Sequence, residues 1–228
     1  MIRGVIFDVD GTLVDSNDAH ARAWEEAFRD VGHPVPFEKI RPLIGMGGDK
    51  LVPAVTGWPR DDPRVERVGK RRGHIFRERY LPHVRAFPGA RELVAALKEA
   101  GARLAVASSA EKEELEPLLE RAGAADLIEH KASSDDAERS KPDPDIVHAA
   151  LQRLRLPKGD VVMIGDTPYD VEAAARAGIG AIALRSGGWD DESLRGAQQI
   201  YDGPADLLAH LPESILSRAA GVRARVRR

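Results

Sequence analysis

The sequence predicts a doubly wound, Rossmann-like α/β core on a parallel sheet, with an α-helical domain inserted near the N-terminus. Three observations lead there. Short apolar runs at residues 5–7, 104–107, 161–164 and 181–184 are continuous rather than alternating, as suits strands covered on both faces. Helical patterns lie between these runs, and strands alternating with helices imply a doubly wound core. From about Ser16 to Arg85, by contrast, no convincing buried strand occurs.

Val5-Ile6-Phe7 is stopped by Asp8 and Gly11 and reads as a buried strand ending in a loop. Residues 19–28 read as a helix with Trp24 and Phe28 one turn apart. Gly45-Met46-Gly47-Gly48 reads as a flexible joint or a loop of close approach, and residues 49–56 and 64–80 read as further helices. The links to the core fall near Val14-Asp15-Ser16 and Val84-Arg85-Ala86. Residues 90–100 put Leu93, Val94 and Leu97 on one helical face, with Pro88 before and Gly101 after. The run 104–107 stops at Ser108 and Ser109. Residues 111–122 are helical but for Pro117, where a kink or a late start is expected. Residues 145–154 place Ile146, Val147, Ala150, Leu151 and Leu154 at helical spacing. The run 161–164 stops at Gly165 and Asp166, and the alanine-rich helix 169–177 stops at Gly178. The expected division is a core of residues 1–15 and 86–215, a helical domain of 16–85, and a basic tail of 216–228.

Composition narrows the function. The 228 residues are 43% hydrophobic and 31% charged, as in a globular protein, and a net charge of −3 argues against a nucleic-acid-gathering field. The arginines of the tail (Arg218, Arg223, Arg225, Arg227 and Arg228) have no interleaved aromatics and read as a solvated end. The absence of cysteine excludes disulfides, thiolate metal sites and a thiol nucleophile. No signal-peptide pattern and no membrane-length apolar stretch occur, so a cytoplasmic location is expected, as a monomer or weak homodimer with no nucleic-acid or membrane partner.

The polar residues of interest fall at the ends of apolar strands, which a parallel sheet gathers on its ligand-binding edge. Asp8 and Asp10 follow the first run, Ser108 and Ser109 the second, and Asp166 and Asp170 the third, while Lys141 precedes a helix. Oxygen-only ligands suit Mg²⁺. A carboxylate is already ionised at neutral pH and needs no base to act as a nucleophile, and a second one two residues on can serve as acid and base. Phosphoryl transfer depends mainly on in-line positioning and charge neutralisation, which this set supplies.

Asp8-Val9-Asp10-Gly11-Thr12-Leu13-Val14-Asp15-Ser16 resembles the signature of the haloacid dehalogenase superfamily. Ser108, Lys141 in Ser-Lys-Pro-Asp-Pro-Asp, and Gly165-Asp166-Thr167-Pro168-Tyr169-Asp170 resemble its later motifs in order, and the helical insert is similar to the family's small cap. The branch it resembles holds phosphoglycolate phosphatases and β-phosphoglucomutases. The resemblance implies Asp8 as the nucleophile that forms an aspartyl-phosphate, and Asp10 as general acid and base. It implies Mg²⁺ on Asp8, the Asp10 carbonyl and Asp166, with Asp170 holding metal-bound water or orienting Lys141. Ser108 and Lys141 would bind the phosphoryl group. Candidate substrate contacts are Thr12 (which also steadies the first loop), Ser109, and His20 and Lys50 of the cap, whereas Lys70, Arg71 and Arg72 fit a solvated helix face as readily. The expected function is hydrolysis of a small phosphorylated metabolite. A sugar-phosphate mutase would share every core residue. A phosphonate hydrolase would use a cap lysine such as Lys50 as a Schiff base. A dehalogenase would lack Asp10, and a non-catalytic phospho-ligand sensor would have lost Asp8 or Asp10.

Overall fold

The computed structural model describes residues 1–218. The tail arginines Arg223, Arg225, Arg227 and Arg228 lie outside the described residues. Among the described residues eight strands form, β1 Gly4–Phe7, β2 Val14–Asp15, β3 Arg85–Ala86, β4 Arg103–Ala107, β5 His130–Ala132, β6 Val161–Gly165, β7 Gly180–Leu184 and β8 Gln199–Tyr201. Nine α-helices accompany them, α1 Asn17–Asp30, α2 Phe37–Ile40, α3 Gly48–Thr56, α4 Pro63–Ile75, α5 Ala90–Glu99, α6 Lys112–Arg121, α7 Asp145–Leu154, α8 Pro168–Ala177 and α9 Pro204–Ala209.

Six strands make one parallel sheet in the order β5-β4-β1-β6-β7-β8. The four apolar runs are its four inner strands. The two edge strands escape the sequence reading because His130-Lys131-Ala132 and Gln199-Ile200-Tyr201 are short and only partly buried, so neither carries an apolar run.

Alternation along each strand divides the core. Val5 and Phe7, with Leu104, Val106, Val162 and Ile164, face α5 and α6 through Leu93, Leu97, Leu115 and Leu118. Ile6, Ala105, Met163 and Ala181 face α7 and α8 through Val147, Leu151, Ala173 and Ala177. Each such large side chain stabilises the fold by roughly 1.5–3 kcal/mol relative to exposure. The first cluster continues into the inserted helices through Trp24, Phe28, Leu51 and Phe76.

Of the kink or late start expected at Pro117, the late start does not occur. α6 runs from Lys112 to Arg121 with Pro117 inside it. Leu115, Leu118 and Leu119 bury on both sides of the proline, and that packing offsets the one lost backbone bond.

α1 to α4 lie between β2 and β3, which pair antiparallel through Val14↔Ala86 and Asp15↔Arg85. The two connections between the helical insert and the sheet therefore run side by side. Among the described residues, no helix is long and apolar enough to cross a membrane.

Candidate active site

The sheet order reverses at β1, with β4 and β5 on one side and β6, β7 and β8 on the other. The carboxyl ends of strands at such a reversal form a crevice. Asp8 leaves β1 there, its amide donating to Ile164 O at 2.8 Å, so β6 fixes where the loop begins. The amides of Thr12, Leu13 and Val14 all donate to Val9 O, which folds the loop back on itself. That turn needs Gly11, whose φ is +74° and whose missing Cβ would collide with the Asp166 carboxylate.

Asp166 comes from the turn between β6 and α8, and Asp170 from the first turn of α8. Thr167 caps α8 reciprocally with Asp170, whose Oδ2 accepts from Thr167 N at 3.0 Å and from Thr167 Oγ1 at 2.7 Å. This leaves Asp170 Oδ1 to face Lys141 Nζ, 2.7 Å away. Lys141 Nζ also donates to Asp8 Oδ1 at 2.5 Å, and only 1% of the lysine is exposed. Asp166 is held from two sides, by Thr12 Oγ1 and Asn17 Nδ2, each at 2.9 Å. A Cβ on Gly187, beyond β7, would also run into its carboxylate. Asp10 lies 2.8 Å from His20 Nε2 and accepts from Ser16 Oγ at 2.5 Å. The His20 ring stacks on Phe76 with centroids 3.8 Å apart.

The electrostatics follow from four carboxylates gathered around one ammonium. Burial pushes the Asp8 carboxyl well above the usual range; Lys141 opposes this, and Asp170, Asp166 and Asp10 reinforce it. Asp166 is pushed up to about 7, first by burial and then by Asp170, against the bonds from Asn17 and Thr12. Lys141 is raised, because Asp170 and Asp8 outweigh the cost of burying its charge. Asp10 moves the other way. Burial disfavours its ionised form, but the charge and hydrogen bond of His20, with Ser16, hold it below the usual value.

Asp8, Asp166 and Asp170 each offer an oxygen within 4.8 Å of the others, and all three are buried. This donor set is hard, and its charge is only partly offset by Lys141. It fits a divalent metal ion held by oxygen.

The other expected residues divide. Ser108 is buried; its hydroxyl accepts from Ala110 N at 3.0 Å, and it lines a cavity of about 600 Å³ between α4 and the sheet. Ser109 lines this cavity and also a pocket of about 50 Å³ beside Asp8, Asp10 and His20, and its hydroxyl donates to Gly45 O. Thr12 points to Asp166 rather than into either space, because the tight Val9–Val14 turn aims it inward. Lys50 lines neither. Its Nζ donates to Ser140 O at 2.7 Å and pairs with Asp143 at 2.6 Å, tying α3 to the Lys141 loop. Four residues escaped the reading or were left undecided by it. Asn17, directly after the signature, and Gly187, in a Gly-Gly pair after the fourth apolar run, had local signals. Arg72 and Glu114, paired across the cleft, had none, since each reads as ordinary charge on a polar helix face.

The sequence pattern of the haloacid dehalogenase-like hydrolase family matches residues 2–178. The chain belongs to that family. Its haloacid dehalogenase fold and its class, phosphatase, agree with its relatives. It is 31% identical to the N-acetylmuramic acid 6-phosphate phosphatase of Pseudomonas aeruginosa, over 94% of this chain and 96% of that one. It is 32% identical to a phosphoglycolate phosphatase of Rhodospirillum rubrum, over 91% and 90%. The crystal structure of a hydrolase from Pseudomonas syringae superposes with a TM-score of 0.86 at 32% identity, covering 92% of this chain and 98% of that one.

Proposed function

We propose that this phosphatase hydrolyses a small phosphorylated metabolite with Mg²⁺, through an aspartyl-phosphate on Asp8. The observation that carries the reading is the buried junction of Asp8, Lys141 and Asp170 beside Asp166, with Asp10 two residues from Asp8 in the same pocket. An Asp8 oxygen attacks phosphorus, the P–O bond to the leaving group breaks, and Asp10 supplies the proton that the departing oxygen needs. Asp10 then takes a proton from water as that water attacks phosphorus, which frees phosphate and restores Asp8. Lys141 offsets charge on the phosphoryl oxygens, and Ser108, at the end of β4, would donate its hydroxyl to them.

Asp8, Asp166 and Asp170, with the Asp10 carbonyl, would hold the Mg²⁺. When bound it supplies positive charge that favours ionised Asp8 and offsets the phosphoryl oxygens. His20 and Ser16 favour the base form of Asp10, and a phosphoryl group arriving nearby opposes that ionisation and restores its acid form.

Phosphate release measured over a panel of phosphorylated metabolites, with Mg²⁺ and with chelator, tests the reading. Turnover with Mg²⁺ that chelator abolishes is expected. Turnover indifferent to chelator would refute the metal, and no turnover of any phosphomonoester, p-nitrophenyl phosphate included, would refute the activity.

A further inference from the structure

The leaving group of a substrate held at Asp8 must occupy the space beside it, and an ion pair bounds that space. Arg72 of α4 and Glu114 of α6 both line the pocket containing Asp8 and Asp10, and Arg72 also lines the larger cavity. The pair is shut away from water, with Glu114 0% and Arg72 9% exposed. Arg72 Nη1 donates to both Glu114 oxygens, at 2.9 and 2.7 Å. Arg77 Nη1 stands 3.6 Å from Glu114 Oε1 and as near to Glu113, with Glu111 at 3.8 Å, so its own charge is offset by further carboxylates. The Arg72 guanidinium lies over the Trp24 ring, 5.2 Å from its centroid, and Arg72 Nε is buried with no hydrogen-bond partner among the described residues.

An unpaired guanidinium here would receive a second carboxylate or phosphate on the substrate, because its planar fork matches those groups. The charge of Arg72 is already offset by Glu114, which takes both of its bonds from Nη1. A second anion would meet a carboxylate wholly removed from water, where repulsion is screened least. The other cations of the larger cavity already face carboxylates. Its Lys70 lies 2.5 Å from Glu66 and its Arg60 lies 3.3 Å from Asp49, while Asp61 and Glu138 have no ion-pair partner among the described residues. A hydroxyl-bearing leaving group, in contrast, brings no charge to meet Glu114, and Ser134 and Ser140 line the same cavity as Arg72.

We infer that this phosphatase selects phosphomonoesters whose leaving group is uncharged and rich in hydroxyls, and that Glu114 sets this selection by neutralising Arg72. The inference rests on the phosphatase reading above. Glu114 acts here as a positioning residue, working through Arg72 on the substrate.

The test compares kcat/KM for glucose 6-phosphate, 2-phosphoglycolate and fructose 1,6-bisphosphate, using the full chain with Mg²⁺. Wild type is expected to favour glucose 6-phosphate over 2-phosphoglycolate by at least about tenfold, which needs little more than 1 kcal/mol of repulsion. Glu114→Gln frees the guanidinium and should move that ratio toward 2-phosphoglycolate by about tenfold. The double variant Arg72→Met, Glu114→Met removes both charges and should not move it. Ratios within one preparation cancel differences in folded fraction. A wild-type preference for 2-phosphoglycolate or the bisphosphate overturns the inference. So does a folded Glu114→Gln with an unchanged ratio, or a double variant that shifts as far as the single one. Should Glu114→Gln not fold, the wild-type ratio decides. Loss of turnover on every substrate, p-nitrophenyl phosphate included, instead refutes the phosphatase reading beneath it.

Discussion

Asp166 shows how burial and a neighbouring charge act together on a single side chain. Its carboxyl titrates at about 7 because it is buried beside Asp170, even with Asn17 and Thr12 bonded to it. A folded-state value above the unfolded one means the native protein holds this proton more tightly. Its contribution to stability is complete below the ordinary carboxylate range and is lost as pH rises through about 7. Metal-free protein should therefore lose thermal stability as pH rises from about 4 to about 7, and saturating Mg²⁺ should flatten that slope. Melting curves across this range, repeated on Asp166→Asn, check it; a slope unchanged in the variant would assign it elsewhere. Asp10 gives a second prediction. Burial works against its ionisation, but His20 and Ser16 prevail. His20→Ala should raise the Asp10 pKa, so the limb of the pH–rate profile that Asp10 governs should move to higher pH. At this scale the sequence was legible wherever a residue followed an apolar strand, as Asp8, Asp10, Asp166 and Asp170 do. It was not legible for Arg72 and Glu114, whose meaning depends on a partner 42 positions away.

At the scale of elements, the turns after the strands do the positioning. The reciprocal cap of Thr167 and Asp170 starts α8 and at the same time turns one Asp170 oxygen toward Lys141. The turn after β7 acts at a distance, since Gly187 leaves room for the Asp166 carboxylate. Gly187→Ala is expected to displace that carboxylate and to weaken Mg²⁺ binding by about 10–100-fold, the usual cost of disturbing groups that orient metal ligands. Isothermal titration with Mg²⁺ measures this directly, and an affinity within about threefold of wild type would contradict it. The elements themselves were legible where burial is two-sided. The inner strands announce themselves as apolar runs. β5 and β8 do not, because an edge strand is half exposed and its ladder partner supplies what its side chains lack. Pro117 misled for a related reason, since the tertiary packing of Leu115, Leu118 and Leu119 outweighs a local helix penalty.

For the whole molecule, the helical insert lies over the sheet edge and is fastened there at several points. Arg41 pairs with Asp18 at 2.6 Å and donates to Gly187 O at 2.8 Å, joining the insert to the loop beside Asp166. Tyr169 Oη donates to Pro42 O at 2.7 Å, and Lys50 reaches the Lys141 loop. These contacts tie the insert beside the pocket that Asp8 lines, and keeping water from that pocket would strengthen every charge interaction within it. Arg41→Ala should accordingly raise KM and lower kcat together while leaving the fold intact, as steady-state kinetics beside a melting curve would show. The proposed reaction turns on one event, the attack of Asp8 on phosphorus. Rapid mixing of enzyme, Mg²⁺ and a hydrolysed substrate, acid quenching within the first turnover, and mass spectrometry of the peptide containing Asp8 observe that event directly. A phosphoryl group on Asp8, absent from Asp8→Asn, is the expected result. A phosphoryl group on another residue, or turnover retained by Asp8→Asn, would contradict the assignment.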